Sequence, residues 1–122
     1  MKIGAVISTS IELIDEVLDS RNTSRFIINS YIKKNRFIGA KDKKFIYSLV
    51  FNTLKKYFGL IKECKENNIS PELRNLVLLN VFNQKITDSL EEVYNGKYSI
   101  TAKEEDKYIL KTALKIENKL LP

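Results

Sequence analysis

Residues 71–84, PELRNLVLLNVFNQ, decide the fold of this chain. The apolar residues at positions 73–82 leave almost no polar face, and a helix that is apolar on all sides is one that other elements enclose. Ser70, Pro71 and Glu72 come before it in the order of N-cap, first helical position and acidic first turn. The segment therefore predicts a central, buried helix.

The residues before this segment predict three amphipathic helices. The first has Ser10 as its N-cap and runs to about residue 20, with four apolar residues inward: Ile11, Ile14, Val17 and Leu18. The second has Thr23 or Ser24 as its N-cap and ends near Gly39 after a basic last turn. The third begins at Asp42 and keeps the helical period for three turns through its apolar residues: Phe45, Ile46, Leu49, Val50, Leu54 and Tyr57.

Three further helical segments complete the pattern. A kink at residues 58–59 leads to a helical segment at 60–67, and a short helix runs from residue 87 or 88 to 94. Residues 101–104, TAKE, form a capping box for a last helix with five residues inward: Tyr108, Ile109, Ala113, Leu114 and Ile116. The Asn95-Gly96 pair also suits a hairpin turn, but residues 97–100 are too short and too weakly β-patterned to favour it.

Length and composition agree with one helical domain over residues 1–122. Hydrophobic residues make up 43% of the 122 residues, enough to build a core. Four glycines and two prolines are too few for a β-sandwich or barrel, which needs a tight turn roughly every 8–12 residues. The sequence therefore predicts an all-α fold, a compact bundle of six or seven helices.

The composition also excludes several kinds of chemistry. Without histidine the chain has no Ser-His-Asp or Cys-His site and lacks the commonest transition-metal ligand, so no metal is expected. A single cysteine and the absence of a signal-peptide pattern at residues 1–7 predict a cytoplasmic protein. No apolar run approaches the ~20 residues of a membrane-spanning helix, and the separated glycines form no phosphate-binding loop.

The positive charge is concentrated in one part of the chain. Residues 33–56 hold eight basic residues against the single acid Asp42, a net charge of +7, while the whole chain carries +6. Such a concentration is typical of a surface that binds the phosphates of RNA or DNA, although lysines also solvate helix ends and loops. We call these eight residues the basic surface: Lys33, Lys34, Arg36, Lys41, Lys43, Lys44, Lys55 and Lys56.

Aromatic residues alternate with lysines on one side of the third helix. A helical wheel groups Lys44, Tyr47, Ser48, Phe51 and Lys55 opposite the apolar side. This arrangement suits the stacking of single-stranded RNA bases. A central helix covered on both sides would instead place Tyr47 and Phe51 in the core, and we favour the core interpretation.

Nothing in the sequence points to a catalytic residue. Cys64 lies between Glu63 and Lys65 with no activating base nearby, which favours a structural or surface thiol over a nucleophile. The carboxylates of Glu91-Glu92 and of residues 104–106 have the chemistry of general acids, bases or Mg²⁺ ligands. Carboxylates at helix starts more often interact favourably with the positive end of the helix dipole. We therefore expect no catalytic site in this chain.

Residues 36–56, RFIGAKDKKFIYSLVFNTLKK, resemble the most recognisable stretch of the NusB-like N-terminal domain of the Sun/RsmB family, the 16S ribosomal RNA cytosine-5 methyltransferases. Residues 11–18, 74–79 and 98–105 agree with the same family in the same order. Asn52 stands where the family has glycine, and Lys43 and Lys55 stand where it has arginine. The two lysines keep the charge but give up bidentate recognition.

The resemblance implies a NusB-like RNA-binding accessory domain, non-catalytic by itself, at the amino terminus of a longer methyltransferase. The implied partners are ribosomal RNA and a C-terminal methyltransferase domain, which would bind S-adenosylmethionine; this chain would hold no cofactor. Two alternatives stay open. A free-standing NusB-type transcription antitermination factor would have an arginine-rich first helix, whereas residues 10–20 are acidic. A protein-interaction module would pack on a catalytic domain without touching RNA.

Overall fold

A computed structural model describes residues 1–36 and 38–120, with side chains described as far as Lys115. Within these residues the regular structure consists of seven α-helices and contains no strand. The predicted all-α bundle is therefore confirmed. In chain order the helices are α1 (Ile3–Asp19), α2 (Ser24–Lys34), α3 (Ala40–Lys55), α4 (Tyr57–Glu66), α5 (Leu73–Asn83), α6 (Leu90–Tyr94) and α7 (Glu105–Leu120).

The helix α5 lies at the centre of the bundle, as predicted. Residues 75–82 are all buried, and α5 contacts α1, α3, α4 and α7. Its start differs from the prediction, because Glu72 rather than Ser70 is the N-cap. The Asn75 side chain donates a hydrogen bond to the Ser70 carbonyl oxygen at 2.9 Å. Ser70 thus lies outside the helix and is held to the first turn of α5 by this hydrogen bond.

The helix α1 begins eight residues earlier than predicted, at Ile3, with Lys2 in place of Ser10 as the N-cap. Ser10 is therefore no N-cap: it is fully buried in mid-helix, and its Oγ has no hydrogen-bond partner. Gly4 allows the early start, because a Cβ there would lie 2.4 Å from the Val93 carbonyl oxygen and 2.7 Å from the Ser99 Cβ. Leu18, predicted to point inward, is 47% exposed.

The observed starts of α2 and α3 agree more closely with the starts predicted from the sequence. Thr23 is the N-cap of α2, since its Oγ1 accepts a hydrogen bond from the Phe26 N–H at 3.1 Å. In α3 the N-cap is Gly39, and Asp42 lies in the first turn, where its carboxylate contacts the Met1 amino group at 3.0 Å. The predicted start at Asp42 is thus two residues late.

The break between α3 and α4 falls at Lys56, two residues before the predicted kink. The predicted end of α4 at residues 67–68 is confirmed. Asn68 takes the left-handed conformation with φ 58°, and the Ile69 N–H donates to the Cys64 carbonyl oxygen at 2.8 Å. This pattern closes a helix with hydrogen bonds to its last carbonyl groups.

The last two helices begin later than predicted. Ser89 is the N-cap of α6, and α7 begins at Glu105, so the capping box at residues 101–104 does not form. In α7 Ile109 and Ala113 are buried as predicted, whereas Tyr108 and Leu114 are exposed. Ile116 lies outside the described side chains.

A buried ion pair joins α7 to α5. The Asp106 carboxylate accepts hydrogen bonds from both terminal nitrogens of Arg74, at 2.6 and 2.7 Å, from the Tyr94 hydroxyl at 2.5 Å and from the Lys103 N–H at 3.0 Å. The second Arg74 nitrogen also donates to the Thr101 carbonyl oxygen at 2.7 Å. Asp106 thus holds the start of α7 by a local hydrogen bond from the Lys103 N–H and by the long-range contacts with Arg74 and Tyr94.

Candidate nucleic-acid interface

The residues of the basic surface lie in two groups along α3. Lys33 and Lys34 end α2, Arg36 lies in the connection to α3, and three lysines lie in the first turns of α3 (Lys41, Lys43 and Lys44). Lys55 and Lys56 lie at the other end of that helix. At 1.5 Å per residue, about 21 Å of helix separates Lys41 from Lys55. All eight side chains are exposed.

Acidic side chains do not neutralise this surface within the described part of the chain. None of its eight residues is among the described ion pairs. Asp42, the one acid in residues 33–56, is engaged by the Met1 amino group. The positive potential of the surface is therefore left to an outside counterion, and a polyanion releases such counterions when it binds.

An aromatic pair, Tyr47 and Phe51, lies between the two groups of lysines. Their ring centroids are 5.6 Å apart and their planes 16° from parallel. Tyr47 is half-buried and packs against the edge of the core, whereas Phe51 is 37% exposed, so the predicted core position is wrong for Phe51. The buried residues of α3 are Ile46, Leu49, Val50 and Thr53. The side that carries Lys44, Ser48, Phe51 and Lys55 is exposed.

Contacts on both sides hold Tyr47 in place. Its hydroxyl donates a hydrogen bond to Asn29 Oδ1 on α2, and the Lys43 Nζ lies 6.0 Å from the centre of its ring. A ring fixed in this way supports Phe51 from one side. The helical wheel grouped these residues correctly but could not show which side of α3 the neighbouring helices leave free.

Sequence analysis did not single out Phe58, which is 83% exposed and lies beside Lys56 in the chain. Its ring meets Tyr57 edge-on at 5.5 Å. Helical spacing offers it apolar neighbours, Leu54 at i−4 and Ile61 at i+3, so the sequence alone gave no signal of its exposure.

Cys64 is a free, fully buried thiol. Burial, together with the nearby charges of Glu63 and Glu105, raises its pKa to about 11. The thiol is therefore protonated at neutral pH and has little nucleophilic character. Of the two positions expected for a thiol without a catalytic role, structural or surface, the structure shows the buried one.

The acidic clusters have structural partners. Burial alone would raise the pKa of Asp106, but hydrogen bonds from Arg74, Tyr94 and the Lys103 N–H hold that pKa below its usual value. Burial and the hydrogen bond to Asp106 raise the pKa of Tyr94 to about 12. Glu92 accepts a hydrogen bond from the Thr87 hydroxyl at 2.6 Å. These carboxylates stabilise helix starts and joints between helices.

The described residues contain no cluster of three or more side chains suited to a metal ion. Among the described helices, none has the length and apolar character needed to cross a membrane. Gly4 and Gly59 lie inside helices, and Gly39 and Gly96 lie in separate connections. They form no glycine-rich loop.

Comparison of the chain with protein-family models, with curated proteins and with solved structures finds no match. The NusB-like resemblance therefore rests on the residues quoted above.

Proposed function

We propose that this chain binds RNA through the basic surface, as the NusB-like accessory domain of an S-adenosylmethionine-dependent ribosomal RNA cytosine-5 methyltransferase. One observation carries the RNA-binding part of the proposal. All eight basic side chains of residues 33–56 are exposed, and none is paired with a carboxylate in the described ion pairs.

The energetic reason is the release of counterions. A lysine or arginine that neutralises a phosphate frees condensed cations, which gives affinity that is independent of base sequence and falls with salt. A carboxylate partner on the protein would compete with the phosphate. The only acid within this segment is already held by the Met1 amino group, so the surface is left available to phosphates.

The accessory role rests on the resemblance of residues 36–56. In this role the chain holds the ribosomal RNA, and a C-terminal methyltransferase domain binds the cofactor that supplies the methyl group. In this role no step of the reaction is assigned to Cys64, which is buried.

The test compares two triple variants that remove the same charge. Lys41, Lys43 and Lys44 are replaced by alanine in one, and Lys107, Lys111 and Lys115, three exposed lysines of α7, in the control. At ~0.7 per phosphate contact for single strands, the first variant should reduce the slope of log affinity against log salt by about 2. The α7 control should keep the parental slope.

Fluorescence anisotropy with ribosomal RNA fragments, structured and single-stranded, gives both slopes, and circular dichroism confirms that each variant is folded. An unchanged slope and affinity in the folded α3 variant would refute the basic surface as the RNA site. If that variant instead lost affinity for a separately expressed catalytic domain, the surface would be a protein-interaction site.

A further inference from the structure

We infer that the basic surface selects single-stranded over duplex RNA, because Phe51 offers its ring as a stacking platform for one unpaired base. The inference rests on the proposed RNA binding and adds the class of RNA and the residue that selects it.

The platform is a row of four residues at intervals of four along α3: Lys43, Tyr47, Phe51 and Lys55. Each step advances about 6 Å along the helix, so the row alternates charge, ring, ring and charge over about 18 Å. Tyr47 and Phe51 are nearly parallel. Lysines thus flank the aromatic pair at both ends.

The two rings have different roles. Tyr47 is half-buried, and its hydroxyl donates a hydrogen bond to Asn29 Oδ1 of α2. This hydrogen bond fixes the orientation of the ring. Phe51 rests on Tyr47 and keeps 37% of its surface exposed. The exposed part of the ring lies between lysines, so a ligand that is both planar and anionic would contact the ring and the charges together. A nucleotide has both properties.

Duplex RNA cannot use this platform. Its bases are stacked on one another and show only their edges in the grooves, so a duplex meets the lysines through its phosphates alone. In a single strand the base can turn outward and stack on a ring while the neighbouring phosphates reach lysines. The ring contact is therefore gained by the single strand only.

Three single variants test the contribution of the Phe51 ring to RNA affinity without changing any charge. Phe51→Leu keeps an apolar side chain and removes the aromatic face, whereas Phe51→Tyr keeps that face. Tyr108→Leu is the matched control, because Tyr108 is 42% exposed, belongs to α7 and has Lys111 three residues further along the same side of the helix. Affinities are measured by fluorescence anisotropy for a single strand of about 12 nucleotides and for the same strand annealed to its complement.

Phe51→Leu should lower the affinity for the single strand by about five- to a hundredfold, which corresponds to the loss of one stacked base. The affinity for the duplex and the salt slope should stay unchanged, and Phe51→Tyr and Tyr108→Leu should bind like the parent. The parent should bind the single strand more tightly than the duplex at the same salt concentration.

Three results would overturn the inference. If Phe51→Leu binds the single strand like the parent while the Lys41, Lys43 and Lys44 triple variant loses affinity, the stacking is wrong and the proposed RNA binding stands. An equal loss for single strand and duplex would show that the ring only supports the fold of the surface. If neither variant changes any RNA affinity, RNA binding by this surface fails as well, which favours a protein partner.

Discussion

Replacing Asp106 by leucine should lower the free energy of unfolding by about 3–5 kcal/mol. The Asp106 side chain is fully buried, and the Arg74 side chain is 14% exposed. Removing the carboxylate leaves the guanidinium without its ionic partner and the Tyr94 hydroxyl without an acceptor. A chain of this length has a free energy of unfolding of about 6–18 kcal/mol, so the loss is a large share of the total.

A double-mutant cycle shows whether the loss comes from the pair. The cycle compares Asp106→Leu, Arg74→Met and the double variant in urea unfolding followed by far-ultraviolet circular dichroism. The double variant leaves no charge buried and should be less destabilised than the sum of the two single variants by at least 1 kcal/mol or so. Asp106→Asn, which keeps the shape of the side chain, serves if the leucine variant is too unstable to measure.

Additive single losses would refute this reasoning, as would a loss below ~1 kcal/mol for Asp106→Leu. Either result would mean that water or a rearranged partner replaces the ion pair at little cost. The buried carboxylate would then not be what holds the start of α7.

The same pair sets the acid sensitivity of the fold. The pKa of Asp106 is lowered in the folded chain, because hydrogen bonds from Arg74, Tyr94 and Lys103 outweigh the effect of burial. Its contribution to stability is therefore present above the unfolded aspartate pKa of about 3.9 and is lost as the pH falls through the lower folded value. Asp106→Asn should show a weaker loss of stability on acidification than the parent, and equal slopes would contradict the assignment.

Three further predictions concern single side chains. Ser10→Ala should raise the free energy of unfolding by about 1 kcal/mol, because the buried hydroxyl has no partner, whereas an N-cap serine would give a loss of similar size; urea unfolding gives the sign. Leu79→Ala should cost about 2–5 kcal/mol in the same assay, since Leu79 is fully buried in the central helix, and a cost below ~1 kcal/mol would contradict that position. Cys64 should react with a thiol-specific reagent only as fast as the chain unfolds, and rapid labelling of the folded protein would contradict its burial.

Hydrophobic periodicity predicted the existence of the helices, because each α-helix must bury an apolar stripe whatever its neighbours are. It predicted the centre of the bundle as well, since residues 75–82 have no polar face to expose. What it could not predict was where several helices begin.

Long-range contacts decide those starts. Ser10 has the residue type of an N-cap, but Gly4 lets the chain pass close to Val93, and α1 extends back to Ile3. At α7 the predicted capping box is absent, and the Asp106 carboxylate instead binds the Lys103 N–H and forms a bidentate pair with Arg74. A charged, bidentate hydrogen bond is roughly twice as strong as a neutral one, so such a contact can displace a local cap.

The sequence predicted the exposed lysines of the candidate site but not the position of its aromatic rings. Exposure of lysine follows from the cost of burying a charge, so the sequence alone places these side chains on the surface. An aromatic ring suits either the core or an exposed face. For Tyr47 and Phe51 the choice depends on which side of α3 the other helices cover, and that is a property of the whole bundle.

The charges that stabilise the fold and those proposed to bind RNA lie on different helices. Arg74 and Asp106 join α5 to α7, whereas the basic surface lies on α2, α3 and the α3–α4 break. Lysines in the first turn of α3 oppose its dipole, so replacing Lys41 or Lys43 should not destabilise the helix. Salt screens exposed charges far more than a buried pair. A loss of RNA affinity with added salt, at constant helicity, would therefore report on exposed charges that contact phosphates and not on unfolding, and the comparison of the α3 and α7 triple variants assigns those contacts to one surface.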